Sequence, residues 1–245
     1  MATRPVFIAN SEKKDFVEIV EIDFDWFPGF SLKQKQKSIQ SLHENFSKKY
    51  REHKILEISS KSDSILGVSL SAFNLMIHTK NEKSFSVETA FQSSKVFERG
   101  GPYIDLYNSS SKEAKKDPRL KTSGRLLYFQ YFNRKWPLEP KTMFYDWLYI
   151  NALALNKKLS EQVLEFDSFS DIEFNPEKSI NCQAKSAALY VSLHKSNLLE
   201  KVLSSTEHYL EVLGQKESHS AGKDENTENI EQISFFDLND SKDTM

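Results

Sequence analysis

The chain has 245 residues, which is enough for one domain of ordinary size with a terminal extension. Aromatic residues make up 12% of the chain and include 18 phenylalanines, whereas glycine and proline contribute only 7 each, which argues against a many-stranded β protein. The net charge of −2 is uneven, because residues 214–245 carry eight acidic and three basic side chains, or −5, and this leaves +3 on the remainder. A mildly basic body permits contact with nucleic acid without requiring it.

The residue types argue against several kinds of chemistry. Cys182 is the only cysteine, so no disulfide can form within the chain, and this fits a reducing cytoplasm. No stretch approaches 18 consecutive apolar residues, so the sequence predicts neither a signal peptide nor a membrane span. The six histidines lack metal-ligand spacing, and there is no glycine-rich phosphate loop, dinucleotide fingerprint or nucleophile elbow. We therefore expect a cytoplasmic protein that uses neither a metal nor a cofactor.

The N-terminal third combines strand and helix patterns. Residues 17–24 alternate apolar and acidic side chains, which predicts a strand. Residues 31–50 begin with a capping-box pattern and repeat apolar residues at helical spacing, which predicts a helix. Its lysines are expected to form a solvated face, with phosphate contacts as the alternative. Residues 55–58 and 67–77 are further strand candidates, the second broken near residues 71–73.

Residues 87–103, VETAFQSSKVFERGGPY, predict the central helix of the chain, which Gly100 and Gly101 would end. One stripe of this helix would combine acidic, amide, basic and aromatic side chains, namely Glu88, Phe91, Gln92, Lys95 and Arg99. Glu88 and Lys95 would lie two turns apart, about 10 Å along the axis, so both could reach a small ligand lying over the helix. The alternative is a solvated charged face, which is the usual meaning of Glu and Lys on one helix.

Basic residues concentrate after this segment. Serines at 109–111 can cap a helix that begins near Lys112 and that Pro118 limits. The basic side chains between residues 112 and 125 are Lys112, Lys115, Lys116, Arg119, Lys121 and Arg125. They could contact phosphates, and an exposed lysine-rich loop is the alternative.

The C-terminal half is predicted to be mainly helical. The segments with helical patterns are 141–155, which is strongly apolar and therefore buried, 160–166, 183–193 and 197–213. Residues 169–180 are polar and rich in turn formers. Residues 214–229 contain almost no apolar side chains and are expected to be disordered, and the segment 231–238 beyond them is a candidate docking motif.

Several segments together resemble the NADAR family, whose members process ADP-ribose and related N-glycosides. The spacing Glu88-x-x-Phe91-Gln92-x-x-Lys95-x-Phe97 is similar to the signature helix of that family. Further matching elements follow in family order, namely LSAF at 70–73, SKEAK at 111–115, Gly124-Arg125, Trp136, Asp171 and NCQAKSAAL at 181–189. The interval between SKEAK and Gly124-Arg125 is longer than in the family, Ala72 stands where asparagine is common, and the glycines flanking the last element are absent. The match covers about residues 66–193.

The extended N-terminus and the segments GGPYIDLY and EFNPEKSINCQA resemble one branch, the NADAR antitoxins that accompany a DarT-class DNA ADP-ribosyltransferase. In that pairing the toxin attaches ADP-ribose to guanine in DNA and the NADAR partner removes it. The resemblance implies an α+β, mainly helical single domain with a small sheet. Residues 1–65 would be an N-terminal strand–helix extension packed on the core, 66–213 the catalytic core with closing helices, and 214–245 a disordered acidic tail.

The resemblance also implies roles for individual residues. Lys95 would attack the anomeric carbon of the ribose and form a Schiff base, Glu88 would act as general acid/base, and Asp171 would orient Lys95 or hold a ribose hydroxyl. An ordinary lysine is protonated at neutral pH, so Lys95 would have to be desolvated or lie near a second cation such as Arg99 or Arg125.

The other implied contacts are with the nucleotide and the DNA. The residues expected to bind the substrate are Gln92, Trp136, Arg125, Phe73, Arg99, Asn181 and Gln183. The residues expected to contact DNA phosphates are Lys112, Lys115, Lys116, Arg119 and Lys121. Gln92 would orient the ribose hydroxyls, and Trp136 would stack on a base or wall the pocket. The guanine must be reached, so single-stranded DNA or a flipped base is expected.

The sequence also leaves two alternative functions and one additional contact open. NADAR relatives also act on N-glycosides of the riboflavin pathway, and the chain could share such a substrate. It could instead neutralise the toxin by binding it without turnover. In the tail, Gln232, Ile233, Phe235 and Phe236 resemble the bacterial sliding-clamp-binding pentapeptide, which would place a hydrolase at the replication fork.

Overall fold

The computed structural model describes residues 1–13, 15–79 and 83–214. The strands are β1 Ala2–Ala9, β2 Val17–Phe24, β3 Ile55–Glu57, β4 Met76–His78, β5 Ser84–Ser86, β6 Lys95–Phe97, β7 Leu126–Tyr131, β8 Arg134–Trp136 and β9 Ser168–Ser170. The helices are α1 Leu32–Lys49, α2 Ile65–Ser69, α3 Val87–Ser93, α4 Ser111–Lys116, α5 Arg119–Thr122, α6 Met143–Leu155, α7 Lys157–Val163, α8 Gln183–Lys195, α9 Leu199–Ser204 and α10 Thr206–Gly214, with a 3-10 helix at Ile104–Asn108. The described residues therefore form an α+β domain, which confirms the predicted fold class.

The largest sheet joins strands from distant parts of the chain in the order β2-β1-β9-β3. β1 and β2 form an antiparallel pair along the whole of β1. β9 runs antiparallel to β1 and parallel to β3, with Phe7 opposite Phe169 in the first of these ladders. Because β9 lies between β1 and β3, residues after position 167 hold the N-terminal strands in one sheet. Two smaller sheets have the orders β4-β5 and β6-β7-β8, so the strand content exceeds the expected small sheet.

The four-stranded sheet separates two apolar clusters. Val6 and Ile8 of β1 pack with Leu42 and Phe46 of α1, whereas Phe7 points to the larger cluster on the other side of the sheet. Residues 5–8 are consequently buried in succession. A strand buried on both faces has no alternating polar pattern, which is why the sequence pattern does not predict β1.

α6 forms the centre of the larger cluster. Every residue from Met143 to Leu153 is buried, so this helix is surrounded on all sides, as its continuous apolar sequence predicts. Its neighbours include α3, α8 and the aromatic side chains Tyr131 and Trp136. α6 therefore connects the three-stranded sheet to the helices that close the domain.

Three predicted elements are wrong in extent or type. The central helix ends at Ser93 instead of continuing to the glycines, because the hydroxyls of Ser93 and Ser94 both bond to the carbonyl of Ala90 and compete with the helical backbone. Lys95 then begins β6. Gly101, with φ +94°, lies against the carbonyl of Lys95, where a side chain would not fit.

The other two differences have local causes. Residues 67–77 form the end of α2, a turn and β4, since Asn74 caps the turn by donating to the carbonyl of Val68. The single helix predicted over 197–213 is two helices, α9 and α10, separated by the extended residue Ser205. The hydroxyl of Ser205 accepts a bond from the backbone N–H of His208 and so begins a new helix.

The burial of β1 on both faces predicts that mutations in β1 destabilise the protein more than mutations on the exposed face of β2. Phe7→Ala should reduce the free energy of unfolding by about 3–5 kcal/mol, because Phe7 is 3% exposed and its ring packs edge-on against Phe174, 6.2 Å away. Ile19→Ala on the exposed face of β2 is the control and should change it by less than about 0.5 kcal/mol. Urea unfolding followed by circular dichroism measures both values. Equal losses for the two variants would contradict the inward orientation of Phe7.

Candidate active site

The site begins at α3, whose start is fixed by its N-cap. The hydroxyl of Ser86 accepts a bond of 3.0 Å from the backbone N–H of Thr89, and every residue of this helix is buried. Glu88 is 5% exposed and Gln92 is 6% exposed, so an acid and an amide lie inside the domain one helical turn apart. The backbone N–H of Glu88 donates to the carbonyl of Ala72 at 2.8 Å, which ties the helix to the 70–75 turn.

Four polar side chains form a continuous row at this place. The amine of Lys95 donates to Gln92 Oε1 at 2.7 Å, and Gln92 Nε2 donates to Glu88 Oε1 at 2.9 Å. The ammonium of Lys115, on α4, lies 3.6 Å from the same Glu88 Oε1. Amine, amide, carboxylate and ammonium therefore follow one another, and the amide stands between Lys95 and Glu88.

Aromatic rings lie beside both ends of the row. Lys95 Nζ lies 4.8 Å from the centre of the Phe91 ring, and Lys115 Nζ lies 4.9 Å from the centre of the Phe73 ring. Burial lowers the pKa of Lys95 to about 8, the charge of Glu88 opposes this lowering, and the positive charge of Lys115 adds to it. At pH 7 such an amine is neutral in about one molecule in ten, compared with roughly one in three thousand for an ordinary lysine. The site thus contains an amine that can act as a nucleophile near neutral pH.

The cation beside the amine is not one of the expected arginines. Arg99 donates to the carbonyl of Thr122, and Arg125 pairs with Glu98 on an exposed surface. Because α3 ends early, Arg99 does not share a helical stripe with Lys95, and Lys115 from the next helix takes the neighbouring position. For the same reason Glu88 and Lys95 are not two helical turns apart on one helix, as predicted. Instead the side-chain amide of Gln92 bonds to both of them.

Asp171 belongs to a second buried polar group, which is linked to the first. Its two carboxyl oxygens accept bonds of 3.0 Å from the backbone of Glu173 and from Gln183 Nε2. Gln183 Oε1 in turn accepts a 2.6 Å bond from the backbone N–H of Ala72, whose carbonyl receives the N–H of Glu88. Gln183 therefore connects Asp171 to the turn that positions Glu88, and it uses its amide for this structural contact.

A buried neighbour changes the protonation of Asp171. Burial, together with the charge of Glu57, raises the pKa of Asp171 to about 8. Glu57 is also buried, and its carboxylate accepts bonds from the Ser170 hydroxyl at 2.5 Å and from the backbone of Ile172 at 2.8 Å. Burial raises the pKa of Glu57 as well. Asp171 is therefore mainly protonated at neutral pH and carries no charge there that could pair with Lys95.

Trp136 lies in the core below the site. Lys95, Phe129 and Trp136 occupy one row across β6, β7 and β8, so Phe129 stands between the amine and the indole. Trp136 is 1% exposed, and its ring lies 4.6 Å from Trp147 and 5.5 Å from Phe144. Both sides of the indole are in contact with the protein, so stacking on a substrate base, one of the two expected roles, has no open ring face.

The basic segment divides into three kinds of environment. Arg119 bonds to Asp105 at 2.7 Å and to Asp117 at 2.8 Å, and its guanidinium lies 4.4 Å from the Tyr103 ring. These contacts neutralise Arg119, which therefore does not fit the expected phosphate contact. Lys115 is part of the polar row. The remaining cations of this segment have exposed side chains, namely Lys112, Lys116, Lys121 and Arg125.

Two further residues at the site have no sequence signal of their own. Tyr145 of α6 packs edge-on against Phe91 at 5.1 Å, and burial and the charge of Glu88 raise its pKa well above the ordinary value. Glu57, in a three-residue strand, acts on Asp171. Both lie in segments whose apolar or short patterns indicate core packing, so only the tertiary fold brings them to the site.

Asn181, which was expected to bind the substrate, lies two residues before Gln183, at the start of α8.

Some expectations fall outside the described residues. The clamp-like residues Gln232, Ile233, Phe235 and Phe236 and the whole of 215–245 are among them. Within residues 1–13, 15–79 and 83–214, no three His, Cys, Asp or Glu side chains cluster as metal ligands would. No helix in the same ranges has the length and apolar character needed to cross a membrane.

The α+β fold and the partly desolvated lysine beside a buried acid define a site suited to amine chemistry. The chain belongs to the NADAR family, because the model of the DarT1-associated NADAR antitoxin family matches residues 2–223. The protein therefore has an antitoxin role in which a DarT1 toxin is the counterpart. No curated protein matches the chain.

The buried acid pair predicts how stability depends on pH. Asp171 holds its proton up to about pH 8 when folded and releases it near 3.8 when unfolded, so the free energy of unfolding should fall as pH rises between these values. His43, which contacts Ser170, has a pKa that burial lowers to about 4, so its own contribution raises the free energy of unfolding up to about pH 6.5 and is constant above that value. The fall due to Asp171 is therefore expected to be visible from pH 7 upward. Glu57→Gln removes the charge beside Asp171 and also a buried acid whose own pKa is raised, so the fall between pH 7 and 8.5 should become smaller by about 1 kcal/mol.

Urea unfolding at several pH values measures this difference. Glu165→Gln is a suitable control, because Glu165 is an exposed acid whose removal should leave the pH slope unchanged. Parallel pH curves for wild type and Glu57→Gln would contradict the coupling of Glu57 to Asp171.

Proposed function

We propose that the chain is an N-glycosidase that removes ADP-ribose from guanine bases in DNA, and that this hydrolysis is how it acts as an antitoxin. The observation that carries the proposal is the amine of Lys95, partly buried beside Phe91 and bonded to Gln92 one amide away from Glu88. A family whose toxin partner is of the DarT1 type supplies the context in which such an amine would meet ADP-ribose.

The proposed reaction uses the neutral amine as a nucleophile. The nitrogen of Lys95 bonds to the anomeric carbon as the bond from that carbon to guanine breaks, and the guanine leaves with the proton that Glu88 relays from the attacking amine. The amine proton passes to Glu88, whose Oε2 has no hydrogen bond to any described residue and so remains available for proton transfer. Opening of the sugar ring then forms a Schiff base. Water adds to its carbon, the amine leaves, and free ADP-ribose and the original Lys95 result.

The surroundings of the amine support particular substrate contacts. Asp171, protonated at neutral pH, would donate a hydrogen bond to a ribose hydroxyl rather than orient Lys95. Gln92 uses both ends of its amide on Glu88 and Lys95, so positioning these two groups replaces the expected contact with ribose hydroxyls. Phe73 and Phe91 would provide the walls of the pocket.

The exposed cations beside α4 would contact DNA. Lys112 and Lys116 flank Lys115 on this helix, and Lys121 and Arg125 follow it. Lysine side chains of this kind neutralise phosphates without reading sequence, so affinity should fall steeply as salt rises. Because the modified guanine must enter a buried site, a single-stranded or flipped base is part of the proposal. A DNA-repair role follows from this substrate.

Lys95→Ala should lower the release of ADP-ribose from modified guanine in a single-stranded oligonucleotide by about a thousandfold or more. The loss is expected because no other described amine contacts Gln92. Borohydride added during turnover should trap a covalent adduct on Lys95, which peptide mass spectrometry identifies. Lys158→Ala, a change of a lysine on α7, is the control for loss of a positive charge.

The outcomes separate the three candidate functions. Wild-type protein that protects cells from the toxin but never releases ADP-ribose would contradict the proposal and favour binding of the toxin. Turnover of riboflavin-pathway N-glycosides, with none of modified DNA, would favour a small-molecule enzyme. Full activity of Lys95→Ala would exclude the lysine mechanism. The sliding-clamp contact of the tail stays a prediction.

The pKa of Lys95 predicts the acid limb of the pH profile. The value kcat/KM reports the free enzyme, so it should rise about tenfold per pH unit below pH 8. Above pH 8 the rise should stop, because Lys95 is then neutral and Asp171 loses the proton it would donate to the ribose. Steady-state rates between pH 6 and 9.5 on the modified oligonucleotide measure this limb. A profile that is flat from pH 6 to 9.5 would show that the neutral amine is not required.

A further inference from the structure

Glu88 receives two partners on one of its oxygens. Gln92 Nε2 and Lys115 Nζ both point to Oε1, at 2.9 Å and 3.6 Å. Lys95 bonds to the far end of the same amide and does not pair with the carboxylate directly. The carboxylate thus has an ammonium partner other than the amine that the proposed reaction uses.

This arrangement matters because a lysine paired directly with a carboxylate keeps its proton. A negative charge close to an amine favours the ammonium form, and a positive charge on the same carboxylate offsets that effect. The carboxylate of Glu88 is buried, so water screens its charge less than it screens a carboxylate on the surface. The placement of Lys115 therefore bears directly on whether Lys95 is a nucleophile at neutral pH.

α4 holds Lys115 in this place through contacts of its own. Its N-cap Ser110 forms a capping box with Glu113, and the hydroxyl of Ser111 donates to the carbonyl of Phe73 at 2.8 Å. Ser111 also shares a 2.6 Å hydrogen bond with Ser86, the N-cap of α3. The two helices are thus joined at their starts, which holds the backbone of Lys115 within reach of the Glu88 carboxylate.

Building on the proposed function, we infer that Lys115 is a positioning residue, whose ammonium occupies Glu88 and so leaves Lys95 bonded to Gln92 as a reactive neutral amine. Lys115 would act through Glu88 without touching the reacting carbon. Its side chain is 55% exposed while the side chain of Glu88 is 7% exposed, so the ammonium covers the carboxylate from the solvent side.

Other charged groups around the amine do not supply the same effect. Tyr145 on α6 faces Glu88, and its raised pKa keeps it neutral at pH 7. Asp171, at the end of β9, is mainly protonated at that pH. Lys112 and Lys116 share α4 with Lys115, but within the described part of the chain neither is paired with Glu88. Lys115 is therefore the cation whose removal tests the inference.

The test compares Lys115→Gln with Lys116→Gln. Lys115→Gln should move the acid limb of kcat/KM to higher pH, so that activity at pH 7 falls about tenfold for each pH unit by which the limb moves, and the ratio to wild type should approach one as pH rises toward 9. Lys115→Arg keeps the positive charge and should restore the limb to the wild-type pH. Lys116→Gln removes an equivalent charge from the same helix and should leave the limb in place, with at most weaker oligonucleotide binding at every pH.

A second measurement needs no turnover. The rate at which acetic anhydride acylates Lys95, followed by peptide mass spectrometry across pH, reports the protonation of the amine itself. Its midpoint should rise in Lys115→Gln and stay constant in Lys116→Gln. Thermal unfolding of each variant checks that it is folded.

The possible results are distinct. An unchanged acylation midpoint in Lys115→Gln would overturn the inference, whatever the activity, and would leave Lys115 as a phosphate contact only. A raised midpoint in a protein that hydrolyses no ADP-ribosylated substrate would support the electrostatic relation and contradict the proposed function instead.

Discussion

The hydrogen bonds of the Gln92 amide are the interaction on which the candidate site depends. One end of this amide accepts from Lys95 and the other donates to Glu88, so a single side chain sets the separation of a base and an acid. An amide is suited to this position because it offers an acceptor and a donor at once and carries no charge. A carboxylate there would hold the Lys95 proton, and an apolar group would leave two buried polar groups without partners.

The rest of the fold keeps that amide and its partners in place. Ser86 begins α3, the serines at 93 and 94 end it, and Lys95 can then turn back as the first residue of a strand. On the other side, Gln183 joins Asp171 to Ala72, and the carbonyl of Ala72 receives the N–H of Glu88. The polar groups of the site thus belong to a continuous set of hydrogen bonds that runs from the four-stranded sheet to α3.

Three elements of the structure are predicted correctly because their local sequence patterns are strong. The alternation of residues 17–24 gives β2, the capping signal at Ser31 gives α1, and the apolar run after residue 141 gives the buried helix α6. Strands of three residues, such as β3, β6 and β9, are too short to display a period, and β1 is buried on both faces. Their existence depends on partners far away in the chain, which local propensity does not encode.

For the site, the residue types and their order identify the chemistry, because Glu88, Gln92 and Lys95 occur at a family spacing and their functional groups do not depend on the fold. Which groups touch was decided by tertiary structure. Lys115 replaces the expected arginines beside the amine, Glu57 makes Asp171 a neutral acid, and Trp136 is covered by its own core. The physical reason is that protonation and contact depend on burial and on distances between separate elements, and neither quantity exists before those elements pack together.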